Sequence, residues 1–229
     1  MSLTRRPPFA YEALITTDKV DAVLGPYGSA VTDAVADVTE KHRMLMIAPN
    51  ASTTSIWEKG RRYLIMMVSP ADGMAAGVLN FAYRDGLHTL AGLHQDALVP
   101  NAVAKGAHAL ARGKGLEVVF SETYPNGTTD FAAVLDKVKT AKPDVLVVAS
   151  IRLDDLVAVT RQMKELDLNV KMLSSLPYGL LPEYHQRLGP DAECLQRLVL
   201  GSRPSKPRQP GVRRGVRKRI QSGSRRVVG

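Results

Sequence analysis

The chain has 229 residues, 45% of them apolar, enough for one large core or two smaller ones. Its single cysteine, Cys194, rules out an internal disulfide and with it a disulfide-stapled secreted scaffold. The formal charge is +9, yet ten of the 31 Lys/Arg and none of the 22 Asp/Glu follow Gly201. The body before it holds 21 basic and 22 acidic residues, so the global basicity is no nucleic-acid footprint of the body.

The opening Met-Ser-Leu-Thr-Arg-Arg-Pro-Pro has no apolar run behind its charges and reads as no signal peptide. Such a chain is expected to be cytoplasmic or to have lost an export signal. No run approaches the roughly 18 apolar residues of a membrane span. The first expected element is a strand at Asp21–Gly25, followed by a helix over Ala30–His42 with Val31, Ala34, Val35 and Val38 at helical spacing. Strands follow at Met44–Ala48 and Tyr63–Val68, and the rhythm breaks at Val68-Ser69-Pro70-Ala71. It restarts with helix Met74–Arg84, strand Thr89–His94, helix Ala102–Gly113 and strand Glu117–Glu122. Helix Asp130–Lys139 carries Phe131, Val134, Leu135 and Val138 on one face. Val145–Ser150 is nearly all apolar, as in a strand covered on both faces. Helix Asp154–Leu166 and strand Lys171–Ser175 complete the series. Strand–helix alternation of this length implies parallel α/β sheets with right-handed crossovers.

Two α/β units are expected: a partial first lobe over residues 1–69, whose three strands are few for an independent sheet, and a second lobe over 70–195. Residues 196–229, rich in Arg, Pro, Gly and Ser, are expected to be disordered or an altered continuation.

In open α/β sheets ligands bind beyond the carboxyl ends of the strands, where helix starts present free N–H groups. Two turns fit. Gly25-Pro26-Tyr27-Gly28-Ser29 joins a strand to a helix, and Pro49-Asn50-Ala51-Ser52-Thr53-Thr54-Ser55 joins a strand to a short helical stretch. Small residues, hydroxyls and a helix start suit a carboxylate, although Ser, Thr and Asn are also ordinary N-caps. Enzymatic patterns are lacking. Ser29 has no nucleophile-elbow glycines, and no phosphate loop or G-x-G-x-x-G occurs. His42, His88, His94, His108 and His185 show no metal-ligand spacing, so neither metal nor cofactor is expected. Asp154-Asp155 reads as acids complementing a helix N-terminus, and Cys194 as an incidental thiol.

Several segments, taken in order, resemble the leucine/isoleucine/valine-binding group of periplasmic solute-binding proteins. They are Asp18-Lys19-Val20-Asp21-Ala22-Val23-Leu24-Gly25-Pro26 followed by Ser29, and Met46-Ile47-Ala48-Pro49 with its Ala/Ser/Thr run. Gly127-Thr128-Thr129-Asp130-Phe131, Pro143-Asp144-Val145 and Thr160-Arg161-Gln162-Met163-Lys164 follow. The likeness covers roughly residues 10 to 192. It implies a type I periplasmic-binding fold, two lobes joined by a multi-stranded hinge and closing on a ligand. It also implies the substrate-binding component of an ABC transporter, with an amino acid or other small carboxylate as ligand, a membrane permease as partner, and a periplasmic location.

The resemblance puts Ser29, Asn50, Ala51 and Ser52 at the ligand's carboxylate, and Tyr27, in the first of the two turns, is a further candidate ligand contact. The family's acid for the ligand ammonium aligns near Leu176, and its aromatic lid positions near Val99 and Leu153. These three are apolar here, which points to a ligand with a carboxylate and an apolar or aromatic body; Asp96, Asp154 and Tyr178 are candidate substitutes. The family's first strands and helix are not recognised ahead of Tyr11, and an incomplete lobe is expected to self-associate through its strand edges. After about residue 195, Gly201-Ser202 and Pro210-Gly211-Val212 stand amid arginines where the family has a helix with acids and aromatics, as an out-of-frame reading would produce. The alternatives are a nucleic-acid-binding protein acting through the arginine-rich tail, disfavoured because no aromatic follows Tyr184, and a ligand-sensing receptor domain of the same fold.

Overall fold

In the computed structural model, residues 6–192 are described, Arg6 by its backbone alone. Cys194 and the basic segment lie outside the described residues. The fold is α/β, with two parallel sheets flanked by helices. The first sheet is ordered β1 (Val23–Leu24), β2 (Met46–Ala48), β3 (Leu64–Met66). Helix α1 (Arg6–Thr16) precedes it, and α2 (Ser29–Lys41) joins β1 to β2. The second sheet, of β4 (Thr89–Gln95), β5 (Glu117–Tyr124), β6 (Val145–Ala149) and β7 (Met172–Leu176), has the order β5-β4-β6-β7. All its pairings are parallel, with an irregularity between Leu90 and Ala91.

Alternation along the strands of the second sheet sends side chains to two cores. Leu90, Val145, Val147 and Met172 pack under α3 (Ala76–Arg84) and α4 (Leu98–Gly113). Ala91, Leu93, Leu146, Val148 and Leu173 pack under α5 (Ala132–Ala141), α6 (Leu153–Glu165) and α7 (Pro182–Leu188). All of β6 is buried, which is why its sequence is an unbroken apolar run. The first sheet is covered differently. Val23, Met46, Ala48 and Leu64 meet Val35 and Ala36 of α2 and Tyr11 and Leu14 of α1, while Leu24 and Ile65 on the other face are exposed.

Several expectations shift. The spacing predicts no element before Asp21, yet α1 forms there. It is tied down by Tyr11 Oη donating to the Leu24 carbonyl at 2.6 Å and by Glu12 accepting from Lys41 at 3.2 Å and pairing with His42 at 2.7 Å. The stripe of α2 is also rotated from the expected Val31, Ala34, Val35, Val38. Its buried residues are Ser29, Thr32, Val35, Ala36 and Thr39. Two threonines can face the core because their hydroxyls bond to main-chain carbonyls, Thr32 to Pro26 at 3.1 Å and Thr39 to Ala36 at 3.2 Å. Strand β1 is only two residues long, and α4 starts at Leu98 rather than Ala102, since Pro100 in a first turn forfeits no helical bond. Helix α7 likewise forms where the spacing predicts no element.

Among the described residues the chain passes between the sheets once, after β3, through Met67–Pro70 into a 3-10 turn at Ala71–Gly73. The Ala71 N–H donates to the Ser52 carbonyl at 2.8 Å, fixing the turn that leaves β2 against this passage. No helix among the described residues is long and apolar enough to cross a membrane.

Candidate functional site

All eight residues singled out for ligand contact lie beyond the carboxyl ends of strands. Tyr27 and Ser29 follow β1, Asn50, Ala51 and Ser52 follow β2, Val99 lies in the first turn of α4 after β4, Leu153 opens α6 after β6, and Leu176 ends β7. From the first-sheet turns Tyr27 reaches the turn after β7, its Oη hydrogen-bonded to Tyr178 Oη at 3.2 Å. Tyr178 sits in the turn directly after β7, so the bond draws the carboxyl end of the first sheet towards that of the second. Burial, with the Tyr27 hydroxyl beside it, pushes the Tyr178 phenol up to about 12. Tyr27 itself is 68% exposed, at the mouth of this junction.

In the first-sheet turns, Gly28 has φ +92°, a left-handed backbone that favours glycine, and its N–H donates to the Asn50 carbonyl at 3.1 Å. Ser29 then starts α2 with its hydroxyl buried. Its Oγ accepts the Ser52 N–H at 3.1 Å and the Thr53 N–H at 3.2 Å, locking the two turns together. A hydroxyl has one proton and two lone pairs, so Ser29 retains its proton for donation. Thr53 Oγ1 is buried beside it without a hydrogen-bond partner. Free donors at the start of a thirteen-residue helix, with the positive end of its dipole, make a setting for an anion. Ala51 is fully buried in the first core, and Asn50 is exposed.

At the second sheet, Val99 and Leu176 are half-buried against the core under α3 and α4, and Leu153 against the opposite core. They offer apolar surface and no charge. Beside them is a polar network of residues that no sequence motif marks. Ser150 Oγ donates to Asp155 Oδ2 at 2.8 Å, and Tyr124 Oη donates to the same oxygen at 3.2 Å. The Ile151 N–H donates to Gln95 Oε1 at 3.1 Å, the Arg152 N–H to Ser150 Oγ at 2.9 Å, and Gln95 Nε2 to Asn126 Oδ1 at 3.0 Å. Burial pushes the Tyr124 phenol far above its ordinary range. The network rigidifies the turn from β6 into α6.

The pair Asp154-Asp155 therefore does not act as two equivalent dipole acids. Asp155 is 2% exposed and paired with Arg152 Nε at 3.2 Å, whereas Asp154 lies outside and takes Arg187 at 2.7 Å. Asp96 accepts from Asn101 at 3.1 Å. The residues of this network are up to 60 positions apart in sequence, so no local spacing could announce them. Elsewhere, His94 and His108 border one small cavity against Gly92, and burial lowers the pKa of both. No group of three or more metal-ligating side chains occurs among the described residues.

The sequence profile of the periplasmic binding protein family matches residues 10–214. The leucine-, isoleucine-, valine-, threonine- and alanine-binding protein of Pseudomonas aeruginosa is 29% identical over 129 residues, 56% of this chain and 34% of the relative. An amino acid binding protein of the same organism is 23% identical over 165 residues, 70% of this chain and 43% of the relative. The chain thus spans well under half the length of these relatives. Among solved structures, the branched-chain amino acid transporter substrate-binding protein LivJ of Streptococcus pneumoniae, in complex with isoleucine, superposes with a TM-score of 0.65. It is 25% identical, with 82% of this chain and 53% of that one covered. A solute-binding protein of an ABC transporter from Rhodopseudomonas palustris HaA2, in complex with p-hydroxybenzoic acid, has a TM-score of 0.69 at 19% identity, covering 85% and 58%.

Proposed function

The chain belongs to the periplasmic binding protein family, and from that premise we propose that it is the solute-binding component of an ABC transporter, taking a small carboxylate between the carboxyl ends of its two sheets. The observation that carries this reading is the Ser29 hydroxyl, anchored by two amides at a helix start with its proton left to give. In this reading Ser29 donates to the ligand carboxylate, with Asn50, Ala51 and Ser52 forming the wall of that subsite. Tyr27 closes its mouth. Val99, Leu153 and Leu176 face the ligand's apolar body from the second sheet. The first lobe comprises residues 1–69 and the second 70–195. The place of action is the periplasm and the partner a membrane permease.

Two ligand chemistries fit a carboxylate subsite, and the second sheet favours one of them. An amino acid brings an ammonium that needs an acid, and burying it unpaired is costly. Asp155 is committed to Arg152, Ser150 and Tyr124 and Asp154 to Arg187, while Asp96 is exposed to solvent and accepts from the Asn101 amide. Two phenols and apolar side chains remain, which suit an aromatic or aliphatic carboxylate without an ammonium. Isothermal titration with leucine, isoleucine, benzoate and 4-hydroxybenzoate tests the choice. Saturable binding of a benzoate at least about tenfold tighter than of either amino acid is expected, a difference of about 1.4 kcal/mol. Tighter amino-acid binding would reverse the preference and keep the carboxylate site.

A further inference from the structure

Four buried side-chain polar atoms lack a hydrogen-bond partner among the described residues, and two of them border the same cavity. They are Nδ1 of His94, near the end of β4, and Nε2 of His108 on α4. The cavity measures about 10 Å³, the room of a single water at most. Its other walls are apolar, with Leu90 of β4, Val147 and Ala149 of β6, and Ala104 and Ala107 of α4 among them. Glycine makes the space. A Cβ at Gly92 would stand 3.3 Å from His108 Nε2, so the imidazole lies against the strand backbone. The other nitrogen of His94, Nε2, is hydrogen-bonded to Thr123 Oγ1 of β5 at 2.9 Å, which fixes that ring. The fold thus keeps two orphaned nitrogens at the joint between α4 and its sheet, an arrangement that costs least while both rings are neutral.

We propose that His94 and His108 form an acid-sensitive latch, seating α4 on the second sheet while both rings are neutral and releasing the helix when they are protonated. A charge on either ring would lie in a space too small for a hydration shell, with no carboxylate bonded to it. Burial is the main cause that lowers the pKa of both. His108 adds to it at His94, and Arg112, one turn further along α4, adds to it at His108. Asp96 acts the other way on His94, but it is exposed and accepts from Asn101. From β5 the rings meet the hydroxyl of Thr123 and, beside Gly92, that of Ser121; from β6 they meet only aliphatic side chains. No group of α3 or of the 3-10 turn is among the charges acting on either ring. Once the helix opens, both rings reach water and return to the ordinary value of about 6.5. The seated state binds protons more weakly than the opened one, so its advantage is intact above about pH 6.5 and is lost as pH falls below it. Helix α4 carries Val99 in its first turn and packs on the 3-10 turn at Ala71–Gly73, so its release bears on the passage between the sheets.

Amide exchange of the full chain, compared between about pH 7 and about pH 5 with each rate divided by its intrinsic value, reads the latch. Protection of Val103, Ala104 and Ala107 in α4 should fall by about tenfold or more across that range, since the opened helix takes up protons that the seated one refuses. Leu146 and Val148 of β6 and Val157 and Val159 of α6 should keep theirs. His108→Gln leaves a polar group over Gly92 that takes up no proton, and it should abolish most of the fall. Where His108→Gln already exposes α4 at neutral pH, the ring protons of His94 and His108 in the unaltered chain decide, and both should titrate below the ordinary histidine value. Protection of α4 that holds in acid would overturn the latch, as would a loss shared equally by β6 and α6. So would a fall undiminished in His108→Gln, or rings that titrate at or above the ordinary value.

Discussion

Ser29 Oγ is the acceptor for two buried amides, so Ser29→Ala acts on the fold as well as on any ligand. Leaving the Ser52 and Thr53 N–H groups without a partner should cost about 1–3 kcal/mol, read as a lower midpoint in urea unfolding. A second single-residue test concerns Asp144 at the start of β6. The Lys171 ammonium at 2.7 Å and the main-chain N–H groups of His88 and Thr89 hold its carboxyl down to about 2. A pKa below that of the unfolded chain means stabilisation that is present above about pH 4 and lost as pH falls towards 2. Asp144→Asn should therefore lower stability at pH 7 and flatten its decline between pH 4 and 2. An unchanged acid slope would contradict the assignment.

Helix α4 packs so closely on the 3-10 turn at Ala71–Gly73 that a Cβ at Gly106 would stand 2.0 Å from the Asp72 carbonyl oxygen. Gly106→Ala must push helix and turn apart and should destabilise by about 1–3 kcal/mol. Gly113→Ala, at the far end of the same helix with nothing within 4 Å, should be neutral or slightly stabilising, and the pair is compared by thermal unfolding. At this scale the sequence was readable where burial imposed an apolar run or stripe, but not at α2, whose buried face includes Thr32 and Thr39. The all-apolar Val145–Ala149 and the stripe Phe131, Leu135, Val138 sit in the core as their spacing requires. Elements held by distant contacts were opaque. The helix Arg6–Thr16 depends on Tyr11 reaching Leu24 and on Glu12 reaching Lys41 and His42, and Pro182–Leu188 is too short to show a period. The two small-residue turns stood out because hydroxyls and glycine cluster locally. The Gln95–Ser150–Asp155 network could not, since its members meet only after folding.

Across the whole molecule, one face of the first sheet carries exposed apolar side chains, with Leu24 at 69% and Ile65 at 47%. An uncovered face of this kind favours association, and sedimentation velocity should show a concentration-dependent dimer that Leu24→Lys weakens; a strict monomer at every concentration would exclude it. The Tyr27–Tyr178 bond links the carboxyl ends of the two sheets, and Tyr178→Phe should weaken ligand binding several-fold, by about 0.5–1.5 kcal/mol, with little change in the stability of the second sheet. The most direct test of a carboxylate site between the sheets is the thermal shift of the full chain across a panel of benzoates and aliphatic amino acids, run in parallel on Ser29→Ala. A carboxylate ligand should raise Tm with the saturable form RT ln(1 + [L]/Kd), and the rise should shrink by an order of magnitude in Kd, about 1.4 kcal/mol, without the Ser29 hydroxyl. A shift of equal size in Ser29→Ala, or none with any carboxylate, would contradict the site.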